Sequence, residues 1–409
     1  MKLESCRICK NKKLETILDL GEMPLANAFL DKNQLDQKEI FYPLRVVWCE
    51  SCGLLLIDEV VPPEILFRNY IYVSGTSEAL RKHFEGLATE AVNNFKLNSE
   101  SLVVDIGSND GTLLKEFKKF GVHVLGVEPA VNIAKIAEGS GIKTINEFFS
   151  EDIAKKIVKS NGKADAVTAT NVVAHTNDLD DLLKGVADLL KDNGIFVIEV
   201  PYLVDLLDSV EFDTIYHEHL SYFAVRPLKR LFEEHDFKIV NVERVTIHGG
   251  TIRVFVSKKK SSSKINESVS QLISLEKEKG LCEVAAYRKF AERVEKLKAD
   301  LVSLLQKLKS ENKKVIGYGA AAKGNTLLNY YHIGSDLIEF IADLSLMKQN
   351  KFTPGTHIPV YSPERIYAAK PDYMLILAWN FADEIMKQQS KFREMDGKFI
   401  VPVPEVKII

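Results

Sequence analysis

The stretch Leu102-Val103-Val104-Asp105-Ile106-Gly107-Ser108-Asn109-Asp110-Gly111-Thr112 constrains the fold more than any other part of the chain. Its apolar, largely β-branched opening predicts a buried strand, its glycines a tight turn, and Thr112 the start of a helix. Leu125-Gly126-Val127-Glu128-Pro129 predicts a second strand, closing on a carboxylate 23 positions after Asp105. The alternation continues with a strand at Asp165 to Thr170, a loop from Asn171 to Asp178, a helix over 179–190 and a strand at Ile195 to Val200. This is the pattern of an open, mostly parallel α/β sheet, whose ligands bind at the carboxyl ends of the strands.

Dinucleotides and S-adenosylmethionine share this layout. A pyrophosphate needs closely spaced glycines and no acid nearby, because backbone N–H groups must approach an anion. Here Asp105, Asn109 and Asp110 crowd the turn around Gly107. Acids suit the ammonium of S-adenosylmethionine and repel pyrophosphate, while Glu128 can accept hydrogen bonds from both hydroxyls of a ribose. Pro129 and Asn171 complete the expected cofactor set. The bland alternative is an α/β domain that binds nothing.

A second unit of the same kind follows. Lys314-Val315-Ile316-Gly317-Tyr318-Gly319-Ala320-Ala321-Ala322-Lys323-Gly324-Asn325-Thr326 predicts strand, glycine turn and helix start, now with a lysine and no acid. Free N–H groups at a helix start beside Lys323 suit a diphosphate, against the plainer reading of a turn chosen for close packing. Strands are expected at Ile338 to Asp343 and Tyr373 to Asn380, the latter placing Asn380 at its functional end. Between the two units, Lys238 to Glu243 and Thr251 to Val256 flank His248-Gly249-Gly250 as an antiparallel hairpin. Lys258 to Lys264 marks a linker, and a long helical pattern runs from 265 to 308 with a break near Gly280, within which Cys282 is expected to be a buried, inert thiol.

Four of the five cysteines form two knuckles, Cys6-Arg7-Ile8-Cys9 and Cys49-Glu50-Ser51-Cys52. Each brings two thiolates to one tetrahedral ion, and four sulfurs suit structural zinc with no position left for water. A redox dithiol would need a single pair beside a strand-helix-strand unit.

Thr214-Ile215-Tyr216-His217-Glu218-His219-Leu220-Ser221-Tyr222-Phe223 gathers two imidazoles, a carboxylate and phenols just after the cofactor unit. Such groups offer a base, a partner to orient it and a donor for an oxyanion; a metal pair at His217 and His219, or a merely polar loop, are the competing readings. His175 falls in a loop at a strand's carboxyl end, and Tyr70 and Tyr72 lie where they either face a substrate or pack at a seam.

A formal charge of -3 and a pI near 6.4 exclude an electrostatic case for nucleic acid or an anionic membrane. No apolar run is long enough for a membrane span and no secretion-signal pattern opens the sequence, so a cytoplasmic monomer acting on a small molecule is expected.

These motifs, in this order and spacing, resemble the S-adenosylmethionine-dependent sugar-nucleotide C-methyltransferases, which methylate a 4-keto sugar at C3 to make branched deoxysugars. The resemblance covers essentially the whole chain, with Ala321 standing where that family often has proline. It implies an α/β chain of three parts: a zinc-binding module at 1–75, a class I methyltransferase Rossmann-like domain at 76–258, and a helical linker plus a second Rossmann-like domain at 259–409 that holds a nucleoside diphosphate. It carries Tyr70, His175, Tyr216, Glu218 and His219 as site residues, with His219 the expected base and Glu218 its orienting partner. Tyr72, His217, Tyr222, His248, Gly249, Gly317, Gly319, Lys323, Gly324, Asn325 and Asn380 are expected around the substrate. Methyl transfer to oxygen or nitrogen of another metabolite is the alternative.

Overall fold

The computed structural model describes residues 1–247 and 249–409, so the expected role of His248 lies outside the described residues. The knuckle segments are joined by antiparallel strands β1 (Leu14–Pro24), β2 (Phe41–Cys49) and β3 (Leu55–Ile57). Cys49 is the last residue of β2, so strand pairing fixes where the second knuckle begins.

The strands that follow are β4 (Leu102–Ile106), β5 (His123–Val127), β6 (Thr144–Ile145), β7 (Ala164–Thr170), β8 (Leu190–Pro201), β9 (Ser221–Tyr222), β10 (Phe237–Val245) and β11 (Thr251–Lys258). All but β9 form one sheet in the order β10-β11-β8-β7-β4-β5-β6. It is parallel except for β11, which runs antiparallel to both β8 and β10, as the hairpin reading required. The chain winds outward in both directions from β4, which opens a crevice at that strand's carboxyl end. Strand β8 starts at Leu190 rather than at Ile195; its extension passes a register shift opposite Ala164, where a Cβ on Gly194 would meet the Asp165 carbonyl at 2.9 Å.

Strand β9 leaves that sheet and pairs with β3, so the loop after Thr214 becomes the fourth strand of the N-terminal sheet. The helix Glu78–Phe95 covers one face of the central sheet. Ser77 caps it by accepting from the Leu80 N–H, and Leu80, Phe84, Leu87 and Ala88 pack with Val103, Ala166 and Phe255. Residues 70–77 are thereby held against the crevice.

The C-terminal sheet contains β12 (Val315–Tyr318), β13 (Ile341–Ala342), β14 (Val360–Tyr361), β15 (Tyr373–Ile376), β16 (Lys398–Val401) and β17 (Lys407–Ile408) in the order β14-β13-β12-β15-β16-β17. It too is doubly wound, parallel but for β17. Helices Glu267–Glu278 and Val284–Ser310 precede it, separated where Gly280 takes a left-handed φ of 78°. Cys282 lies in that break and is exposed, not buried as expected, because Leu281, one residue earlier, takes the inward-facing position. Among the described residues no helix is long and apolar enough to cross a membrane.

Specific bonds tie the three sheets together. Arg7, in the first knuckle, donates to the carbonyls of Ile57 (2.9 Å) and Leu220 (2.8 Å). Asn325, in the helix after β12, donates to the Ala26 carbonyl at 2.7 Å, and Leu30 pairs with Phe352.

Candidate active site

The four knuckle sulfurs lie within 4.8 Å of one another, with Cys6–Cys52 and Cys9–Cys49 each at 3.5 Å. A tetrahedron with Zn–S bonds of about 2.3 Å has edges of about 3.8 Å, so the cluster fits zinc. Each knuckle turns through a left-handed residue, Lys10 (φ 55°) and Gly53 (φ 81°), that brings its two thiols together. The four thiolates suit a structural ion.

At the carboxyl end of β4 the turn is shaped by contact. Gly107 has φ 65°, and a Cβ there would meet Val172 Cγ2 at 2.5 Å. Glu128, at the end of β5, is buried; its Oε2 accepts from the Asn109 N–H and its Oε1 from the Ala130 N–H, both at 2.8 Å. Each oxygen keeps a second lone pair for a ribose hydroxyl. Asp105 accepts from Thr168 Oγ1 at 2.6 Å, and burial pushes its carboxyl up to about 7. A methionyl ammonium beside it would favour the charged form. The chain's own acids therefore fit the adenosyl cofactor.

Asn109 and Asp110 hold the loop above the turn. The Asn109 side chain accepts from the Ser74 N–H (2.9 Å) and donates to the Tyr72 carbonyl (3.1 Å), while Asp110 Oδ2 accepts from the Gly75 N–H (3.2 Å). Pro129 follows Glu128 directly, and Asn171, with φ 56°, donates its N–H to the Glu199 carbonyl at 2.8 Å, turning the chain away from β7. Glu199 was missed by sequence reasoning: 1 % exposed, it binds His83 (2.8 Å) and Arg253 (2.8 Å) at the end of β8.

The loop after Asp213 reaches the same end of the sheet, with the Leu220 N–H donating to the Ala174 carbonyl at 2.7 Å. His175 and His219 meet edge to face with ring centroids 4.9 Å apart. His219 Nδ1 lies 2.7 Å from the Thr214 carbonyl, which can only accept, so Nδ1 carries the hydrogen. Nε2 is then the lone-pair nitrogen, and Tyr216 Oη donates to it at 3.0 Å. Burial holds His175 well below the usual imidazole range, with the neighbouring His219 adding to the effect, so His175 is neutral. Burial raises the Tyr216 phenol well above its ordinary value, and the Glu218 charge raises it further.

Glu218 does not hold the ring in the expected way. Its carboxylate, 3 % exposed, accepts from Tyr70 Oη (2.8 Å) and Asn27 Nδ2 (2.6 Å), and burial pushes it up to about 6. The His219 Nδ1 hydrogen is taken by a backbone carbonyl, whose role no residue type announces. Tyr70 thus joins the cluster, in edge contact with Phe67, which also packs on His175. Tyr72 is exposed at 42 % beside the Asn109 strap.

His217 is buried away from the cluster, whereas the buried Tyr222 phenol lies against Tyr216. His217 donates to the Pro43 carbonyl at 3.1 Å and packs on Tyr42, and Tyr222 sits in β9 opposite Leu55. Both hold the loop to the N-terminal sheet.

At the second turn, a Cβ on Gly317 would meet Ile341 Cγ1 at 2.9 Å, on Gly319 Ala378 Cβ at 2.8 Å, and on Gly324 Leu377 Cβ at 2.8 Å. These glycines let the helix start lie close to β13 and β15. Lys323 faces inward: its Nζ is 3.8 Å from Glu211 and 4.4 Å above the Trp379 ring, whose Nε1 donates to Asp213 at 2.6 Å. Burial pushes Glu211 up to about 7. A Cβ on Gly249 would meet the Glu211 carboxylate at 2.5 Å, so that glycine leaves room for the acid. Asn380 is half-buried in the short turn Trp379–Phe381 after β15.

Family models cover the chain in three successive blocks: a zinc binding domain over 6–67, a methyltransferase domain over 80–242 and a C-methyltransferase C-terminal domain over 246–404. The C-methyltransferase NovU of Streptomyces niveus is 37% identical over 407 residues, spanning 100% of this chain and 97% of that one. The chain belongs to the C-methyltransferase family. This C-methyltransferase depends on S-adenosylmethionine and carries a zinc-binding N-terminal part, and its acceptor atom is carbon rather than oxygen or nitrogen. Other likenesses are shorter: a ubiquinone biosynthesis O-methyltransferase of Pelagibacter ubique is 27% identical over 24% of this chain and 40% of its own length. A methyltransferase structure from Archaeoglobus fulgidus matches 44% of this chain and 94% of its own at 20% identity and a TM-score of 0.37.

Proposed function

We propose that this C-methyltransferase methylates C3 of a nucleotide-linked 4-keto-deoxysugar through an enolate. The pairing of His219 and Tyr216 carries the reading. A 4-keto group acidifies the C3 hydrogen, and a base and an adjacent oxyanion donor are what enolisation needs. With Nδ1 fixed by the Thr214 carbonyl, Nε2 is the basic nitrogen. When the sugar enters, Tyr216 exchanges its bond to Nε2 for one to the C4 oxygen. Nε2 then takes the C3 proton, the C–H electron pair becomes the C3–C4 double bond as the carbonyl π pair moves onto the C4 oxygen, and Tyr216 stabilises the charge. The carbon attacks the methyl group that S-adenosylmethionine supplies, and the sulfur departs as the neutral thioether. His175, being neutral, is a second donor to the same oxygen. Tyr70 and Asn27 keep Glu218 ionised at neutral pH, and its charge keeps Tyr216 protonated as a donor.

The sugar lies between the two crevices, its C3 towards the turn at Gly107 and its diphosphate towards the turn after β12. NovU, a C-methyltransferase by name, supports transfer to carbon. Titration calorimetry with S-adenosylhomocysteine and then a nucleoside diphosphate should find two independent sites, followed by turnover on 4-keto sugar nucleotides. Binding of the adenosyl ligand alone would sink the sugar-nucleotide reading.

Asp105 gives a pH prediction. Its carboxyl is near 7 without a cation, and the bound ammonium lowers it, so binding releases a proton below that value. S-adenosylhomocysteine affinity should be level above pH 7 and fall by up to about tenfold per unit below it. Calorimetry from pH 5.5 to 8 checks this; a flat profile would remove Asp105 from the ammonium site.

A further inference from the structure

Both doubly wound sheets use the same carboxylate geometry. Glu128, after β5, accepts from Asn109 in the turn after β4 and from Ala130 two residues on. Asp343, after β13, accepts from Ala320 in the turn after β12 (2.6 Å) and from Ser345 two residues on (2.7 Å). In each case the backbone fixes both oxygens and leaves lone pairs pointing outward from a parallel strand's carboxyl end, where ribose hydroxyls bind.

The next residues add two features. Lys348 Nζ donates to the Ala320 carbonyl at 2.8 Å and lies 5.6 Å from the Phe29 ring centre, so its ammonium is braced at the turn with two protons to spare. Leu344, Leu346 and Met347 are 66 %, 84 % and 43 % exposed, an apolar lip directly beside the carboxylate. Lys323, by contrast, is turned towards Glu211 and the Asp213–Trp379 pair. Asn325, in the first turn of the following helix, keeps its buried Oδ1 without a hydrogen-bond partner among the described residues.

We infer that the segment Asp343 to Lys348 is the nucleoside-recognising edge of the substrate site: Asp343 holds the ribose, Lys348 a phosphate, and Leu344 and Leu346 the face of the base. The inference rests on the sugar-nucleotide reading and assigns residues within it.

The full-length protein is titrated with UDP, dTDP, GDP and CDP, the tightest serving as probe, with inorganic pyrophosphate as a base-free and ribose-free comparison. Lys348→Met should weaken both probe and pyrophosphate by about ten- to a hundredfold, the scale of a charge-assisted hydrogen bond. Asp343→Asn and the double change Leu344→Ser with Leu346→Ser should weaken the nucleotide by about tenfold and leave pyrophosphate within about twofold. S-adenosylhomocysteine affinity should be unchanged in all three, which reports an intact fold; should Asp343→Asn lose it, the other two variants decide. Nucleotide affinity within about twofold of the parent in Lys348→Met and the leucine variant overturns the assignment and leaves the sugar-nucleotide reading standing. A parent protein that binds none of the four nucleotides overturns that reading itself, and the assignment with it.

Discussion

Replacing His219 with alanine should lower methyl transfer by about 10²- to 10⁴-fold, the usual contribution of a positioned base, while both ligands still bind. The ring lies between Tyr216 and His175 and its Nδ1 bond is to backbone, so truncation removes the proton acceptor. Added imidazole should restore part of the rate, because the cavity left is ring-shaped. Tyr216→Phe should cost about 10²- to 10³-fold, the range for one oxyanion donor, with no rescue by imidazole. Full turnover in His219→Ala, or loss of cofactor affinity there, would contradict the assignment.

Loss of the metal should be as damaging, by a different route. A structural zinc contributes on the order of 10 kcal/mol to folding in small zinc modules, comparable to the whole stability of a domain at about 5–15 kcal/mol. The N-terminal sheet buries its apolar residues between the knuckles and β9, and β9 continues the catalytic loop. Arg7, between two ligand cysteines, bonds the Leu220 carbonyl one residue after His219. Cys49→Ser, or a strong chelator, should therefore unfold the N-terminal sheet and abolish turnover although no ligand cysteine touches the reacting atoms. A lowered melting temperature with zinc released in proportion, read by a colorimetric chelator, checks this. A chelated protein of unchanged melting temperature and activity would show the metal to be dispensable.

The parts of this chain that were legible in sequence are those where spacing imposes geometry. Two knuckles announce a four-sulfur site, a strand ending in Asp105 and a glycine turn announce the cofactor crevice, and the antiparallel hairpin at β10 and β11 follows from two strand patterns around paired glycines. What was not legible depends on contacts across long sequence separations or on backbone atoms. Asn27 meets Glu218 from 191 positions away, within a segment without periodicity. The Thr214 carbonyl that fixes the His219 tautomer is indifferent to residue type. His217 and His219 look equivalent in sequence, yet one is 1 % exposed against Tyr42 and the other faces His175. Lys323 was visible as a cation beside a glycine turn; that Glu211 would face it was not, since the acid comes from the opposite side of the crevice, 112 positions earlier.

Solvent exchange at the substrate's C3 tests the central claim most directly. With S-adenosylhomocysteine in place of the methyl donor, the protein incubated with a 4-keto sugar nucleotide in deuterium oxide should wash deuterium into C3, and the His219→Ala protein should do so about 10²-fold more slowly or less. Proton NMR reads the loss of the C3 signal. No exchange above the uncatalysed rate in the parent protein, in a sample that still transfers methyl groups, would contradict a base-generated enolate.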